Sequence, residues 1–475
     1  MTPPQRSARE RPVAALLAPD ILALLEESPT SVAAETEELH AADLADIAEL
    51  LDRSELTRLL EALPPTRAAD VLEYLNEEVR ADVLEAMSAR QAAALVAEMT
   101  PDDRADALED IDEEHAEEIL AEIPSEARRE TEQLLAYEPD SAGGLMTTEF
   151  ISVPASITVE DALRSVRAVA RSGRREAMYA VYTTDDDGRL SGVLSLRELL
   201  AAPEGARAGD IAWTEVVSVA PTADREEVAR AISNYDLIAV PVVDADRRVL
   251  GVITVDDVID AIQEEQTEDV QKFGGMEALD APYMQIGFAS MVKKRAGWLC
   301  ALFLSEMLTA SAMQHYEGEL ERAVVLTLFI PLIMSSGGNS GSQATSLIIR
   351  ALALGEITLK DWWRIAVREL PTGLSLGAIL GVIGMTRIFL WQHAGIYDYG
   401  SHYLLVALAV GMALVGIVTF GSLAGSMLPF VLKRLGFDPA SASAPFVATL
   451  VDVSGLVIYF TVAQVVLGTT LLRPR

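Results

Sequence analysis

The chain has one cysteine, Cys300, in 475 residues. That excludes an intramolecular disulfide and any CxxC metal site. Its five histidines form no pair at metal-ligand spacing. No GxxxxGK[ST] loop occurs, which excludes a P-loop ATPase. No nucleophile–base motif stands out, so an enzyme is not expected. Basic charge is scarce: 37 Lys and Arg stand against 72 Asp and Glu, a net charge of −35. A phosphate backbone needs a basic surface, so nucleic acid is not an expected partner. The first residues lack the apolar core of a signal peptide, so no cleaved leader is expected.

What is present is divided unevenly. The first 290 residues carry 62 acidic against 24 basic side chains; residues 291–475 carry 10 against 13. An acidic half therefore precedes an apolar one. Dense carboxylates suit divalent cations, which prefer hard oxygen ligands.

Residues 50–135 repeat every 12 positions. Leu63, Leu75, Met87, Met99, Ile111 and Ile123 keep the step, and Leu60, Leu72, Leu84, Val96, Leu108 and Leu120 keep it three places earlier. Positions i and i+3 share a helix face, so each unit reads as a short amphipathic helix. Pro64, Asn76, Ser88, Thr100, Asp112 and Pro124 lie between units and suit helix starts. Such helices bury their faces only by stacking into a solenoid.

Residues 140–262 hold two similar blocks. One contains GLMTTEFISVPASITVEDAL and YAVYTTDDDGRLSGVLSLREL, the other DIAWTEVVSVAPTADREEVA and IAVPVVDADRRVLGVITVDDV. Each predicts a short strand, a helix, two β-branched strands around a polar turn, and a helix. The blocks resemble a tandem pair of CBS domains, α/β modules that often bind adenosine nucleotides. Thr254 and Asp257 match the positions that meet the ribose in that pattern, whereas the first block has Ser195 and Glu198. The residues that follow, to about 285, predict a long helix striped with Asp257, Asp260, Glu264, Glu265, Glu268 and Asp269, carboxylates that repel one another on one face.

Five apolar segments follow, at roughly 294–315, 323–353, 364–390, 402–432 and 441–471, each meeting the ~20 residues a membrane span needs. Lys293, Lys294, Arg295, Arg350, Lys360, Arg364, Arg368, Lys433 and Arg434 all fall on the side of the acidic half. The opposite side has Arg322, Arg387, Arg473 and Arg475. This bias predicts a cytoplasmic acidic half and an outside C-terminus.

Asp452 lies about eleven residues into the fifth apolar segment, some 16 Å along the helix. An ionised carboxylate at that depth costs ~2.5–3.5 kcal/mol on insertion scales. No Lys or Arg lies in the core of any span to offset it, so a passing cation is its natural counter-ion. Glu306, in the first span, is a second candidate. The stretch PLIMSSGGNSGSQ places Gly337, Gly338, Gly341, Asn339, Ser340 and Gln343 inside the second span. The glycines allow either close helix packing or a helix break that exposes carbonyls. A TVGYG filter of the potassium type is absent.

Helical repeats, two CBS-like blocks, an acidic helix and five spans, with LAYEPDSAGGLMT, GVITVDDV, PLIMSSGGNSGSQ and FDPASASAPFVATLVDVSG, together resemble the MgtE family of magnesium channels. The resemblance implies a multidomain α, α/β and membrane architecture: a flexible segment over 1–40, an α-helical superhelical repeat domain over 41–137, CBS domains over 138–200 and 201–262, a plug helix over 263–288, and a five-helix transmembrane domain over 289–475. It implies a homodimer in the inner membrane that passes Mg²⁺ passively into the cytoplasm. Asp452, the Ala448 carbonyl and Asn339 would form the filter, with Gly338, Ser340, Glu306 and Gly455 lining the pore. Mg²⁺ bound at Asp102, Asp106, Glu226, Asp236, Asp257, Asp260, Glu265, Glu268, Asp269 and Asp438 would hold the pore closed. ATP at Thr254 and Asp257 would act as a modulator. Two other readings are an ion-coupled divalent cation exporter and a membrane-anchored CBS nucleotide sensor.

Overall fold

The computed structural model describes residues 12–172, 179–279, 283 and 286–471. Arg473 and Arg475, counted above for orientation, lie outside them. The chain divides after Glu264 into two bodies.

The first body opens with α1 (Pro12–Glu27), α2 (Val32–Glu35), α3 (Ala41–Ala48), α4 (Arg53–Ala62) and α5 (Pro65–Glu73). It continues with α6 (Glu77–Ala86), α7 (Ala89–Val96), α8 (Pro101–Glu109), α9 (Glu113–Glu122) and α10 (Ser125–Leu134). The 12-residue period is one helix plus its cap. Pro64, Asn76, Ser88, Thr100, Asp112 and Pro124 are the N-cap residues of α5 to α10. The Asn76 and Asp112 side chains accept hydrogen bonds from the Glu78 and Glu114 amides, satisfying donors that a helix start leaves open. Every periodic apolar residue is buried except Leu120, which is half-buried. Alternate helices stack: α3, α5, α7 and α9 in one layer, α4, α6, α8 and α10 in the other. The flexible segment expected over 1–40 is folded from Pro12 onward, because Ala14, Ala18, Ile21 and Leu25 give α1 an apolar face that joins the repeat core.

The α/β part comprises β1 (Ile151–Pro154), α11 (Val159–Ser172), β2 (Val181–Thr184), β3 (Leu190–Leu194) and α12 (Leu196–Ala201). It then runs through α13 (Ala208–Ile211), α14 (Arg225–Tyr235), β4 (Ala239–Val243), β5 (Val249–Thr254) and α15 (Val255–Phe273). β1 pairs in parallel with β2, β2 antiparallel with β3, and β4 antiparallel with β5. The opening strand expected in the second block is reduced to one bridge, Val219 with Val242. GLMTT, read above as part of the first block, joins the second instead. The Ala142 and Gly143 amides donate to the Ala223 and Pro221 carbonyls, Thr147 pairs with Val252, and Leu145 and Met146 enter the core around Val219, Val228 and Ile253. Gly251 makes room: a Cβ there would lie 2.6 Å from the Thr147 carbonyl oxygen.

α15 crosses the division between the bodies. It stops at Phe273 rather than continuing through 288, because Gly275 turns left-handed at φ +78°, a common helix ending. The second body adds α16 (Phe288–His315), α17 (Glu317–Arg322), α18 (Ile330–Ala353), α19 (Trp362–His393), α20 (Tyr403–Arg434) and α21 (Ala444–Leu467). Among the described residues five segments are long and apolar enough to cross a membrane: Phe288–His315, Val324–Ala353, Leu359–His393, Tyr403–Arg434 and Ala444–Leu467.

Close packing, not a break, explains the glycines. α18 runs unbroken through GGNSGSQ. Gly337 and Gly341 meet Gly421 and Gly425 of α20 backbone to backbone, and a Cβ on Gly421 or Gly425 would overlap the carbonyl oxygen of Gly337 or Gly341. A second seam joins α19 to α20. There Gly373, Gly377 and Gly381 face Thr419, Val415 and Gly411; a Cβ on Gly377 would lie 2.6 Å from the Val415 Cα. In lipid, where apolar burial gives helices no drive to associate, such four-residue steps of small side chains secure contact by letting backbones approach.

Candidate ion pathway and carboxylate clusters

α21 carries Asp452 on a half-buried face, one turn beyond Ala448, a rise of about 6 Å. Among the described residues the Asp452 carboxylate has no hydrogen bond and no basic partner. The charge that reaches it is another carboxylate, Glu306 on the neighbouring α16. Ala448 presses against Gly338 of α18, where a Cβ would come within 3.3 Å of the alanine methyl. Asn339, the next residue, is exposed, with its Nδ2 3.5 Å from the Ser335 Oγ. Of the expected filter residues, Ala448 therefore lies at the contact of α18 with α21, Asn339 follows the contacting Gly338 on α18, and Asp452 lies one turn along α21. Because α21 is continuous, the Ala448 carbonyl already accepts the helical bond from the Asp452 amide, leaving one lone pair for a ligand. Two expected pore residues belong to the packing instead. Ser340 is buried and shares a 2.7 Å hydrogen bond with Ser422 of α20. Gly455 is buried against Ile417, also of α20.

The first body has its own acidic cluster. Asp103 and Asp106 of α8 face Asp256, Asp257, Asp260 and Glu264 of α15, with Glu77 of α6 nearby. Burial pushes the Asp106 carboxyl up to about 6, with Asp103 and Asp110 adding to the effect. Burial and the neighbouring Glu77 push Glu264 up to about 7, against the pull of Arg225. Asp257 and Asp260 are raised too, first by burial and then by Asp103 and Asp256. The Arg80 guanidinium, fully buried, holds Asp110 at 2.5 Å from beneath. All of these ligands are hard oxygens, which suits Mg²⁺. Among the described residues no three of them converge tightly enough to enclose an ion.

The matching families follow this geometry part by part. Residues 330–462 match MgtE, a divalent cation transporter family; 39–140 match the MgtE intracellular N domain; 142–205 and 208–264 match CBS domains. Over 340 residues the chain is 43% identical to the magnesium transporter MgtE of Thermus thermophilus, covering 72% of this chain and 73% of the relative. This chain belongs to the MgtE family of magnesium transporters. The MgtE of Enterococcus faecalis is 37% identical over the same length, with 72% of each chain covered. Two solved structures are also similar, each covering 52% of this chain and 99% of the other at a TM-score of 0.49: the soluble part of a magnesium transporter, 34% identical, and the cytosolic domain of the Mg²⁺ channel MgtE in complex with ATP, 37% identical.

As an MgtE transporter, the chain is a multipass membrane protein with an N-terminal helical domain and a CBS pair. The other sensing residues expected from the sequence are spread over several elements. In the repeat domain it is Asp103 that acts on Asp257 and Asp260, whereas Asp102 is buried beside Arg104. Asp103, Asp106 and Asp110 follow i, i+3, i+7 spacing, so their common face was readable from the sequence. Glu226 and Asp236 lie at opposite ends of α14, about 15 Å apart along its axis. Thr254 donates from Oγ1 to Asp257 at 2.5 Å, so the expected ribose pair serves as a helix start, as do Ser195 and Glu198, which form a capping box in the first block. Glu265, Glu268 and Asp269 lie past the division, in the second body.

The raised carboxylates fix a sign for pH dependence. Separated side chains titrate near 4, so folding raises these values. Stability from their protonation is full below about 4 and is lost as pH rises through 6 to 7. With a chelator present, the full-length protein should unfold at a higher temperature at pH 6 than at pH 8. Mg²⁺ should restore the difference at pH 8. A melting temperature that falls on acidification would contradict this account.

Proposed function

We propose that the protein is a passive Mg²⁺ channel that imports the ion into the cytoplasm and is closed by intracellular Mg²⁺. The observation that carries the reading is Asp452, a mid-span carboxylate without a basic partner. A hydrated divalent cation is the counter-ion such a group calls for. Mg²⁺ dehydrates reluctantly, so few direct protein ligands suffice. The Asn339 side-chain oxygen and the free lone pair of the Ala448 carbonyl suit its water shell. The membrane potential would drive entry. Two copies would line one pore in the inner membrane, with the acidic half cytoplasmic and the C-terminus outside, as the basic loops imply.

Gating follows from the acidic cluster on α8 and α15. Without Mg²⁺ these carboxylates repel; with it they are bridged. A ligand that prefers one state shifts the population towards that state. α15 would then act as the plug. ATP at the CBS pair would modulate the equilibrium.

Mg²⁺ uptake by reconstituted full-length protein tests this reading. Raising Mg²⁺ on the side of the acidic half should cut flux by about an order of magnitude. Collapsing proton and sodium gradients should leave it unchanged. Flux that needs either gradient would favour an ion-coupled exporter, and no flux at any Mg²⁺ level would favour an anchored sensor.

A further inference from the structure

The acidic helix α15 contains one basic residue, Lys272, in its last turn. Its ammonium lies 2.5 Å from Glu268, one turn back on the same helix, and 2.7 Å from Asp438, in the loop between α20 and α21. The other Asp438 oxygen accepts from the Ala440 amide at 2.8 Å and caps the turn Pro439–Ser441. Burial works against the charge on Lys272, but the bonds to Asp438 and Glu268 outweigh it and hold the amine above its ordinary range.

Apolar packing closes around the same joint. Phe273 packs against Ile349, Ala440 and Ala442. A Cβ on Gly275 would lie 2.8 Å from Trp298 of α16 and 3.2 Å from Pro445 of α21. The Trp298 Nε1 donates to the Ser443 hydroxyl at 3.0 Å, and Ser443 caps α21. The Gln271 side chain accepts from the Leu279 amide at 2.7 Å, folding the following segment back on the helix.

Glu268 and Asp438 were expected to bind a regulatory Mg²⁺. The ammonium already holds one oxygen of each carboxylate, and the second Asp438 oxygen is engaged by the Ala440 amide. Mg²⁺ requires about 2.0–2.1 Å to each ligand in near-octahedral array, so it would displace Lys272 or be repelled by it. The lysine is tethered, so it does not exchange with the solution.

We propose that Lys272 is a built-in counter-ion that pins the end of α15 to the Asp438 loop without a metal, leaving the Mg²⁺ response to the carboxylates of the first body. This inference rests on the gating reading above. The Mg²⁺-sensitive end of α15 is then the Asp257–Glu264 end, and its lysine end stays anchored.

The test compares wild type, Lys272→Gln, and the charge swap Lys272→Glu with Asp438→Lys, all full length in liposomes. Flux is measured against Mg²⁺ on the side of the acidic half, and bound Mg²⁺ by equilibrium dialysis. Loss of two charge-assisted bonds should raise the half-closing Mg²⁺ concentration about tenfold or more in Lys272→Gln. That variant should also bind one more Mg²⁺ per chain, and the swap should restore wild-type behaviour. An unchanged half-closing concentration would overturn the proposal. If Mg²⁺ closes not even the wild type, the gating reading fails by itself. Hydrogen exchange with chelator present then decides the latch: faster exchange at residues 271–276 in Lys272→Gln supports it, and unchanged exchange overturns it.

Discussion

Replacing Asp452 with alanine should cut Mg²⁺ flux about thirtyfold or more while leaving the protein as stable as before, or more so. The two effects have opposite signs for one reason. A carboxylate at mid-span costs ~2.5–3.5 kcal/mol, and among the described residues no hydrogen bond or basic side chain offsets that cost. Removing it relieves the fold. An ion held through one water, ~4 Å away at an effective dielectric of ~20, gains about 4 kcal/mol per unit charge. Losing half of one such term is about a thirtyfold effect. Asp452→Asn should behave like the alanine variant, since it keeps the shape and loses the charge. Flux and thermal unfolding of one preparation settle the matter. A variant that conducts normally but melts earlier would make Asp452 a structural residue.

The largest effect on stability should come from Gly425→Ala. The added methyl has nowhere to go: its neighbour is the Gly341 backbone oxygen, with the Thr345 hydroxyl 2.8 Å away. That hydroxyl donates to the Gly425 carbonyl at 2.8 Å, so the helices are also bonded at this point. A flexible side chain can yield to an intruding methyl; two helix backbones cannot. The cost should be about 3 kcal/mol or more, the upper range for overpacking, seen as aggregation in detergent or a much lower melting temperature. Gly287→Ala is the control. That glycine has open space around it at φ −62° and should tolerate the change. Equal damage from both substitutions would refute the seam.

Local rules made most of the fold legible. The repeat domain declared itself because each unit carries its own start signal, so one period fixes both caps and core. The spans followed from apolar length. What escaped was settled by partners distant in sequence. Nothing near GLMTT announces that the two amides just before it bond to Ala223 and Pro221, or that Thr147 pairs with Val252. Ser340 reads as polar in a membrane, hence pore-lining, yet Ser422 takes its hydroxyl. The same holds at the site. Asp452 stood out by depth alone, whereas Lys272 was hidden in a stretch read as a carboxylate stripe. Its meaning depends on Asp438, a residue on the far side of four spans.

The two glycine seams also restrict how the membrane helices can move. With backbones in direct contact, α18, α19 and α20 have no side-chain cushion to slide on, and a shift by one residue would drive a methyl or larger group into a carbonyl. These helices therefore form a stiff plate, held along both faces of α20. Any rearrangement must come from elements outside the plate: rotation of α21 about its contact with α18, or displacement of α16, whose surface is mostly left uncovered by its own chain. Asp452 and Glu306 sit on those two elements, so the helices free to move are also the ones that carry carboxylates within the span.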